Sequence, residues 1–311
     1  MNYQFILEPY NGLKTRYSCP SCNNKKVFTR YINTNTNEYI AENVGKCNRE
    51  IKCGYHYTPK KYYNDHGVIK PHQSFIKSKN MNFQKNISYI SNDHLIKSIS
   101  STSPNFLLNY LENELFGAEE TCYLRKLYRI GTSSYWNGST LFWQIDEDSN
   151  IRTGKIMLYN ALNGKRIKKP FSHINWFHSV LKITGFNLNQ CLFGSHLVKS
   201  DLKKTIAIVE SEKTALIASI YIPEFIWLAT GGIHNLNYEN TKILQNRNVV
   251  LFPDLGCFEL WKKKSVKLSP LINVTISTLL KHNASAKEME KGYDLADYLI
   301  NMNHTIKTLD I

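Results

Sequence analysis

Residues Ile206 to Ser219 read IAIVESEKTALIAS, and this stretch says more about the fold than any other part of the chain. The run up to Val209 is short, apolar and β-branched, as expected of a buried strand in a parallel sheet. From Glu212 to Ile222 the apolar residues have helical spacing. This order places Glu210 at the carboxyl end of the strand, the edge at which open α/β sheets bind ligands. A solvated turn acid, favoured by the helix dipole, is the alternative interpretation.

The last third of the chain repeats this alternation of strand and helix. Its strand-like runs are Thr205–Val209, Phe225–Ala229, Val249–Phe252 and Val274–Ser277, and a last helix begins at Asp294. Strands that alternate with helices predict a parallel sheet covered by helices. We therefore predict an α/β fold with a Rossmann-like sheet over residues 201–311.

A second acid stands in the same position as the first. The segment NVVLFPD ends in Asp254 and precedes the helical segment CFELWKKK, so Glu210 and Asp254 would both lie at carboxyl ends of neighbouring strands. Two carboxylates that face each other across such a gap predict a Mg²⁺ site. A coincidental pair of turn acids is the alternative.

Further residues are predicted at the same edge of the sheet. In the segment IWLATGG, residues Thr230, Gly231 and Gly232 follow a third strand and could bring backbone N–H groups close to a phosphate. Lys213, one turn into the first helix, would direct a positive charge to this edge. We predict Glu210, Asp254 and Lys213 as the catalytic residues.

The chain is strongly basic, and its charge is unevenly distributed. The 311 residues carry a formal net charge of +14. Residues 1–200 contain 26 Lys and Arg against 13 Asp and Glu, a net of +13, whereas residues 201–311 contain 13 against 12, a net of +1. Basic segments interleaved with aromatic residues favour single-stranded nucleic acid as a partner. The composition bias of an AT-rich genome is the alternative explanation.

Hydropathy excludes a membrane protein at this stage. No run of residues approaches the roughly 18 consecutive apolar residues of a membrane span. The N-terminal segment MNYQFILEPYNGLKTRYSCP lacks the basic and then apolar layout of a signal peptide. We predict a cytoplasmic protein with no membrane partner.

Close cysteine pairs in the N-terminal segment predict a zinc site. In a chain without a secretion signal, such pairs favour a metal over disulfides. A Cys-Pro-Ser-Cys turn is followed by a second half-site after 24 residues, and two such turns complete a tetrahedron around Zn²⁺. The predicted ligands are Cys19, Cys22, Cys47 and Cys53, with His56 as the alternative. The other three cysteines, Cys122, Cys191 and Cys257, are predicted to be buried thiols.

Composition divides the chain into four predicted segments. Residues 1–66 have too few apolar residues to fold without a metal and form the zinc ribbon. A basic linker follows over 67–104. A mixed α+β region spans 105–200, with an amphipathic helix at Asn105–Leu115 and strand-like runs at Leu141–Ile145 and Lys155–Tyr159. The α/β region over 201–311 completes the chain.

The motifs described above carry a family resemblance. IAIVESEKTALIAS, WLATGG and VVLFPDLGCFELW, in this order, resemble the toprim domain, the α/β module of bacterial-type primases, topoisomerases and some nucleases. LYRIGTSSYWNGSTLFWQIDEDSNIRTGKIMLYN and CLFGSHL are similar to the strand-rich half that precedes toprim in replicative primases. KGYDLADYL resembles the acidic helix start that follows it. The chain as a whole is similar to primase-like proteins of bacterial mobile elements, with only the linker unaccounted for.

This resemblance implies an activity and a division of roles. The activity would be primer synthesis from nucleotides on single-stranded DNA, with Mg²⁺ or Mn²⁺ held by Glu210 and Asp254. The zinc ribbon and the basic middle region would hold the strand, and a separate helicase or mobilisation protein would be a partner. The predicted DNA-binding residues of the middle region are Arg152, Lys155, Lys165, Arg166, Lys168 and Lys169. Those of the ribbon are Lys25, Lys26, Arg30, Tyr31, Arg49 and Lys52, for which a solvated face is the alternative.

One departure from the toprim pattern bears on activity. Toprim domains have Asp-x-Asp where this chain has Asp254-Leu255-Gly256, so the second aspartate is missing. Glu212, Glu259 or Asp294 could compensate for the lost charge. The alternative functions are a catalytically degenerate nucleic-acid-binding accessory protein of a mobile element, which Gly256 favours, and a toprim nuclease.

Overall fold

The computed structural model describes residues 4–50, 52–66 and 86–309. These residues belong to two compact units, one within Met1–Phe83 and one within Gln84–Ile311. The first part of the predicted linker, residues 67–85, lies outside the described residues. The predicted fold class is confirmed: a parallel sheet lies in the C-terminal part and is preceded by a mixed α+β region and a small N-terminal ribbon.

The N-terminal unit is a small antiparallel sheet with cysteines in its turns. Its elements are β1 (Phe5–Leu7), β2 (Phe28–Asn33), β3 (Gly45–Cys47), β4 (His56–Tyr57) and α1 (Pro59–Asp65). The strands pair in chain order, each antiparallel to the next. The buried hydrophobic cluster consists of Cys19, Phe28 and Cys47. Two of these three core residues are predicted zinc ligands, so the ribbon has almost no apolar core apart from its metal site.

The second unit contains the other described helices and strands. Its strands are β5 (Gly131–Ser133), β6 (Ser139–Ile145), β7 (Ile151–Met157), β8 (Ile174–Trp176), β9 (Ile206–Val209), β10 (Ile226–Ala229), β11 (Asn248–Leu251) and β12 (Asn273–Ile276). Its helices are α2 (Asn92–Ile99), α3 (Phe106–Tyr110), α4 (Ala118–Leu127), α5 (Phe177–Val180), α6 (Glu212–Tyr221), α7 (Tyr238–Thr241), α8 (Phe258–Leu268), α9 (Leu279–Asn283), α10 (Ala286–Lys291) and α11 (Leu295–Leu309). The helix predicted from Asn105 is α3, which a π-helical segment, Leu111–Phe116, continues.

Strands β5 to β8 form an antiparallel sheet in chain order. Every residue of β6 is buried, because both faces of this strand are covered. Leu141, Trp143 and Ile145 belong to one hydrophobic cluster, and Phe142 belongs to another. The Trp143 indole N–H of β6 donates a hydrogen bond to Ser98 Oγ of α2 at 2.9 Å. Ile90 pairs with Ile151 at the start of β7. Residues 86–104, the described part of the predicted linker, are therefore folded onto this sheet.

The parallel sheet has the strand order β10-β9-β11-β12, and every neighbouring pair is parallel. Strand β9 is central, and all four of its residues are buried, which is why this strand is uniformly apolar. Val209 pairs with Ala229 of β10, and Ile208 pairs with Leu251 of β11. The carboxyl ends of these three strands therefore meet at one edge of the sheet.

Two predictions about apolar residues have different outcomes. Cys191 and Cys257 are buried as predicted, but the prediction for Cys122 was wrong, since this thiol is exposed. The buried side of α4 is formed by Thr121 and Leu124, and Cys122 lies between them in sequence on the solvent side.

Among the helices of the described ranges, none is both long and apolar enough to cross a membrane.

Candidate zinc and magnesium sites

The four predicted zinc ligands come together in the N-terminal unit. The sulfur atoms of Cys19, Cys22, Cys47 and Cys53 all lie within 4.8 Å of one another. The Sγ atoms of Cys19 and Cys53 are 3.7 Å apart. Four sulfurs at about 2.3 Å from a tetrahedral Zn²⁺ would be about 3.8 Å from each other. The spacing therefore fits a structural zinc ion without rearrangement.

Local turns bring the two cysteine pairs into this geometry. In the first turn, the Asn23 N–H donates to the Cys19 carbonyl at 2.9 Å, and Asn23 has a left-handed φ of 52°, which asparagine tolerates better than most residues. Hydrogen bonds from the backbone and side chain of Asn24 lower the pKa of Cys22 to about 6. In the second turn, the Cys53 N–H donates to the Arg49 carbonyl at 2.8 Å. The first turn therefore favours a thiolate, the form that binds zinc.

The alternative ligand His56 lies apart from the sulfur cluster. Its Nε2 atom is hydrogen-bonded to the Tyr31 hydroxyl at 2.9 Å, and the two rings are stacked at 10° with centroids 6.0 Å apart. Burial lowers the pKa of His56. The ligand set that the structure assembles is four cysteines, and His56 is instead part of the β4 surface.

The basic residues predicted on the ribbon surface differ in their availability. Lys25, Lys26 and Lys52 are exposed. Arg30 is half-buried, with its guanidinium 4.1 Å from the centroid of the Tyr17 ring. Lys26 donates to the Leu13 carbonyl at 3.2 Å. The exposed lysines could contact phosphates as they stand, whereas Arg30 would have to leave its aromatic neighbour.

Glu210 and Asp254 lie at the carboxyl ends of the adjacent strands β9 and β11. Burial raises the pKa of Glu210, and its Oε2 atom is buried with no hydrogen-bond partner among the described residues. Burial also raises the pKa of Asp254 well above its ordinary value, and the nearby carboxylates of Asp294 and Glu210 add to this shift. Ionising these groups together is unfavourable, and a bound cation would relieve that repulsion.

A third acid acts on the same edge from the start of the C-terminal helix. Asp294 precedes α11 and accepts a hydrogen bond from the Asp297 N–H at 3.0 Å. The Thr214 hydroxyl of α6 donates to Asp294 Oδ2 at 2.7 Å. Burial and the Asp294 charge raise the pKa of Asp297. Of the three residues that could compensate for the missing aspartate, Asp294 is therefore the one whose charge acts on Asp254.

The other two compensating candidates are engaged elsewhere. Glu212 is buried, and both of its carboxylate oxygens accept hydrogen bonds from Lys155 Nζ, at 3.0 and 3.1 Å. The same ammonium donates to the Gly231 carbonyl at 3.0 Å. Glu259 is exposed, and its Oε1 atom forms an ion pair with Lys281 Nζ at 3.8 Å. Lys155, predicted to bind DNA, is thus fully occupied by a buried ion pair that connects β7, α6 and the loop after β10.

The loop after β10 has its backbone N–H groups already bonded. Thr230 N–H donates to the Val209 carbonyl at 3.0 Å, and Gly231 N–H donates to the Glu210 carbonyl at 2.8 Å. Gly232 N–H donates to Thr230 Oγ1 at 3.3 Å. Gly231 has a φ of 66°, and a Cβ there would lie 2.8 Å from Glu212 Oε1, so this position requires glycine. The phosphate-binding role of residues 230–232 stays a prediction, since it needs these bonds to be exchanged.

Several cations surround the acidic edge. Lys213 of α6 is half-buried and donates to the Gly164 carbonyl at 3.3 Å, and its charge offsets part of the increase in pKa that burial and Asp294 cause for Asp297. The charge of Arg166 offsets part of the increase in pKa that burial causes for Glu210 and Asp254. Lys165, Arg166, Lys168 and Lys169 are exposed on one segment, 165–169. This basic segment lies beside the acids, so it could contact the phosphates of a ligand bound at that edge.

Arg152 was also predicted to bind DNA, but unlike the exposed cations of segment 165–169 it is engaged in contacts within the protein. Its Nε atom forms an ion pair with Asp146 Oδ2 at 2.7 Å. Its guanidinium lies 5.2 Å from the centroid of the Tyr89 ring. Arg152 is therefore half-buried in contacts within the antiparallel sheet, and a DNA-binding role for it stays a prediction.

Sequence reasoning missed two features of this edge. Asp297 carries a raised pKa and belongs to the acidic cluster. The Asp-x-x-Asp spacing at the start of α11 was the available signal, because such pairs cap helix N-termini. The Lys155–Glu212 pair had no such signal, since its partners are 57 residues apart in sequence.

Family models match two parts of the chain. Residues 105–255 match a family described as a domain of unknown function (DUF6371). Residues 3–68 match a zinc beta-ribbon finger. The second match and the cysteine cluster agree, so the N-terminal unit is a zinc-binding ribbon. No curated protein matches this sequence.

Two solved primase structures are similar to this chain at a low level. The primase fragment of the bacteriophage T7 primase-helicase protein is 13% identical with a TM-score of 0.35, covering 89% of this chain and 98% of that one. The zinc-binding and RNA polymerase domains of the Aquifex aeolicus primase are 13% identical with a TM-score of 0.34, covering 96% of this chain and 80% of that one. TM-scores of this size are too low to support a common fold.

Proposed function

We propose that this chain is a primase-like nucleotidyltransferase that acts on single-stranded DNA with Mg²⁺ or Mn²⁺. The observation that carries the proposal is the acidic edge: Glu210 and Asp254 end adjacent parallel strands, and Asp294 is close enough to raise the pKa of Asp254. Open α/β sheets bind ligands at this edge. The toprim-like motifs noted in the sequence contain Glu210 and Asp254.

The acids and the surrounding cations have different roles in the proposed reaction. Glu210, Asp254 and Asp294 would hold the metal ion, and the unpartnered Glu210 Oε2 is a ready ligand atom. The ion, when bound, supplies a Lewis acid that stabilises charge on a transferring phosphoryl group. Lys213 and Arg166 neutralise phosphate oxygens of the incoming nucleotide. The Lys155–Glu212 pair positions the start of α6 and the loop at Gly231.

Strand binding is assigned to the ribbon and to the basic segment 165–169. The exposed cations of these two regions are Lys25, Lys26, Lys52, Lys165, Arg166, Lys168 and Lys169. Contacts of this kind follow the phosphate backbone and make affinity strongly salt-dependent. A separate helicase or mobilisation protein, and a link to mobile elements, stay predictions of the sequence.

The proposal is tested by primer synthesis on mixed-sequence single-stranded DNA with labelled nucleotides and Mg²⁺ or Mn²⁺. Glu210→Gln keeps the shape of the side chain but removes its charge, and we expect product formation to fall by at least about 100-fold. DNA affinity should stay within about twofold of the wild type, because Glu210 contacts no phosphate in this assignment. Glu224→Gln, at an exposed acid away from the edge, is the matched control and should keep full activity.

Two results would contradict the assignment of roles. Glu210→Gln with unchanged synthesis would mean that the acidic edge is not the site of the chemistry. Loss of DNA binding in this variant would mean that metal and strand sites are not separate.

A non-catalytic role is the second candidate, and Gly256 favours it. The chain turns at this residue with a φ of 84° and an exposed backbone, so an L-residue would be strained at the position where toprim domains have their second aspartate. An accessory protein would bind single-stranded DNA with a steep salt dependence and make no product with either metal. The same assay separates the two candidates, since only an enzyme gives a product that Glu210→Gln removes.

A further inference from the structure

A wide, open cavity of about 400 Å³, lined mainly by amide side chains, lies beside the loop that follows β10. Residues from two sequence segments of the second unit line it: Leu188, Asn189 and Gln190 from the first, and Asn235, Tyr238 and Asn240 from the second. Its volume is within the roughly 300–1,000 Å³ of small-molecule sites. The acidic edge accounts for none of these residues, so the cavity is separate from the metal site.

The amide groups of the cavity are held in fixed orientations. Asn235 Nδ2 donates to the Thr230 carbonyl at 2.9 Å, and Asn240 Nδ2 donates to the Asn235 carbonyl at 3.0 Å. Each amide thereby keeps its Oδ1 atom as an acceptor. Gln190 Nε2 is buried and has no hydrogen-bond partner within the described ranges. A buried amide donor of this kind is costly to leave unpaired, so a ligand acceptor that met it after the Gln190 side chain had turned toward the cavity would stabilise it.

The cavity also offers an aromatic face. Tyr238 is 57% exposed, and its ring has no aromatic or cationic neighbour in the part of the chain that the structure describes. Leu188, which also lines the cavity, is 39% exposed. An unpaired tyrosine ring and an aliphatic side chain form a surface on which a flat, apolar face could stack.

The charges of the lining argue against a phosphate ligand. Glu239 is the one charged residue of the lining, and its carboxylate forms an ion pair with Lys242 at 3.0 Å. A flat ligand with alternating donors and acceptors along its edge would match the amides, and a nucleobase has this chemistry. Base stacking on an exposed aromatic ring is the usual mode of single-strand recognition.

We propose that this cavity is a nucleobase-binding site, with Tyr238 as the stacking ring and Gln190, Asn235 and Asn240 as hydrogen-bonding groups. The base comes either from a single strand or from a free nucleotide. This inference does not depend on the proposed catalysis, because base binding requires no metal. It is tested on the full chain with its ribbon zinc retained and with no added Mg²⁺ or Mn²⁺, where failure of the metal site at the acidic edge has no effect.

The experiment compares Tyr238→Ala with Tyr123→Ala, a control at a 54% exposed tyrosine of α4. Affinities are measured for a mixed-sequence single strand, for a strand of the same length without bases, and for free nucleotides. We expect Tyr238→Ala to weaken binding of the base-bearing strand roughly tenfold and to leave the abasic strand unchanged. Tyr238→Phe, which keeps the ring, should bind like the wild type.

Each outcome has a defined meaning. A loss confined to free nucleotides would also support the site and would identify the incoming nucleotide as the source of the base. An equal loss for the abasic strand would overturn the proposal, because the tyrosine would then act on the backbone. Tyr238→Ala indistinguishable from Tyr123→Ala on every ligand would overturn it too, as would a wild-type protein that binds neither bases nor nucleotides.

Discussion

The zinc ribbon and the acidic edge both gather anionic side chains, but they do so in opposite structural settings. In the ribbon, the four cysteine sulfur atoms lie within 4.8 Å of one another. The buried core there has three residues, and two of them are cysteines of this group. The acidic edge belongs to a region with a large hydrophobic core. Its carboxylates come from the ends of β9 and β11 and from the start of α11. In the described ranges, no carboxylates form a group as compact as the cysteines.

The two metal sites therefore have different relations to folding. The zinc ion is needed for the ribbon to fold, whereas the acidic edge would bind its metal ion in a domain that is already folded. The ribbon needs its ion because the ligands themselves fill the space of a core. The packing of the parallel sheet holds the acids of the edge in place. Their burial disfavours the charged carboxylates, and the pKa values of Glu210 and Asp254 are raised as a result. We therefore expect metal removal to unfold the first region and to leave the second folded.

The largest expected effect is loss of the ribbon zinc. Structural zinc binding is worth about 10–16 kcal/mol in ribbon-sized modules, more than so small a core can replace. Cys47→Ser should release zinc, as measured by elemental analysis, and should abolish the dispersed amide NMR signals of residues 4–66. The unfolding transition of the second unit should not move.

Cys122→Ser is the matched control for this substitution. Cys122 is exposed on α4 and is not part of the sulfur cluster, so zinc content and NMR signals should stay unchanged. A Cys47→Ser protein that keeps its zinc, with His56 recruited in place of the lost thiolate, would break the contrast between the two regions.

A smaller effect is expected from the buried ion pair behind the edge. Lys155→Met leaves the Glu212 carboxylate buried without its cation, a change that costs about 3–5 kcal/mol. For a unit of this size the Tm should fall on the order of 10 °C. Thermal unfolding followed by circular dichroism measures this.

The double variant Lys155→Met with Glu212→Gln sharpens the result. It removes both charges, so it should regain a large part of the lost Tm. If the single variant were as stable as the wild type, the edge would not depend on this pair for its shape, and the packing of the sheet alone would hold the acids.

The smallest expected effect is the dependence of the Tm of the second unit on pH and on Mg²⁺. Burial raises the pKa values of Glu210, Asp254 and Asp297 in the folded protein. The folded state is thus favoured while these groups are protonated, and the advantage is lost as the pH rises from their ordinary values through the raised ones. In EDTA, the Tm of the second unit should fall by a few degrees over this range.

Mg²⁺ should remove much of this fall, because it binds the ionised acids of the folded state. Asp254→Asn, which cannot ionise, should flatten the pH profile even in EDTA. A profile that is the same with and without Mg²⁺ would contradict a metal site at the edge and would favour the accessory role.

Local patterns predicted most of the fold. The predicted run Thr205–Val209 and its three later counterparts are the strands of the parallel sheet, within one residue at each end. Burial on both faces forces such strands to be uniformly apolar, which makes them easy to recognise. The Cys-x2-Cys spacing likewise predicted the sulfur cluster, because the turn that it encodes is local.

Two predictions depended on information that the local sequence does not carry. Lys155 was predicted to contact DNA from its charge alone, and its burial against Glu212 follows from the packing of β7 on α6. The exposed position of Cys122 depends on which side of α4 faces the core. Charge and hydropathy identify a residue type, but they do not give the direction of its side chain.

The sequence by itself determined the strands of the parallel sheet, the helix that follows β9, the two cysteine turns and the acids that follow β9 and β11, since each depends on spacing along a few residues. Only the tertiary structure decided which partners these residues have. Asp294 reaches Asp254 across 40 positions of sequence, and Lys155 reaches Glu212 across 57. Such contacts arise from the packing of whole elements against each other, because burial of apolar surface selects the arrangement and polar side chains then take the partners it offers.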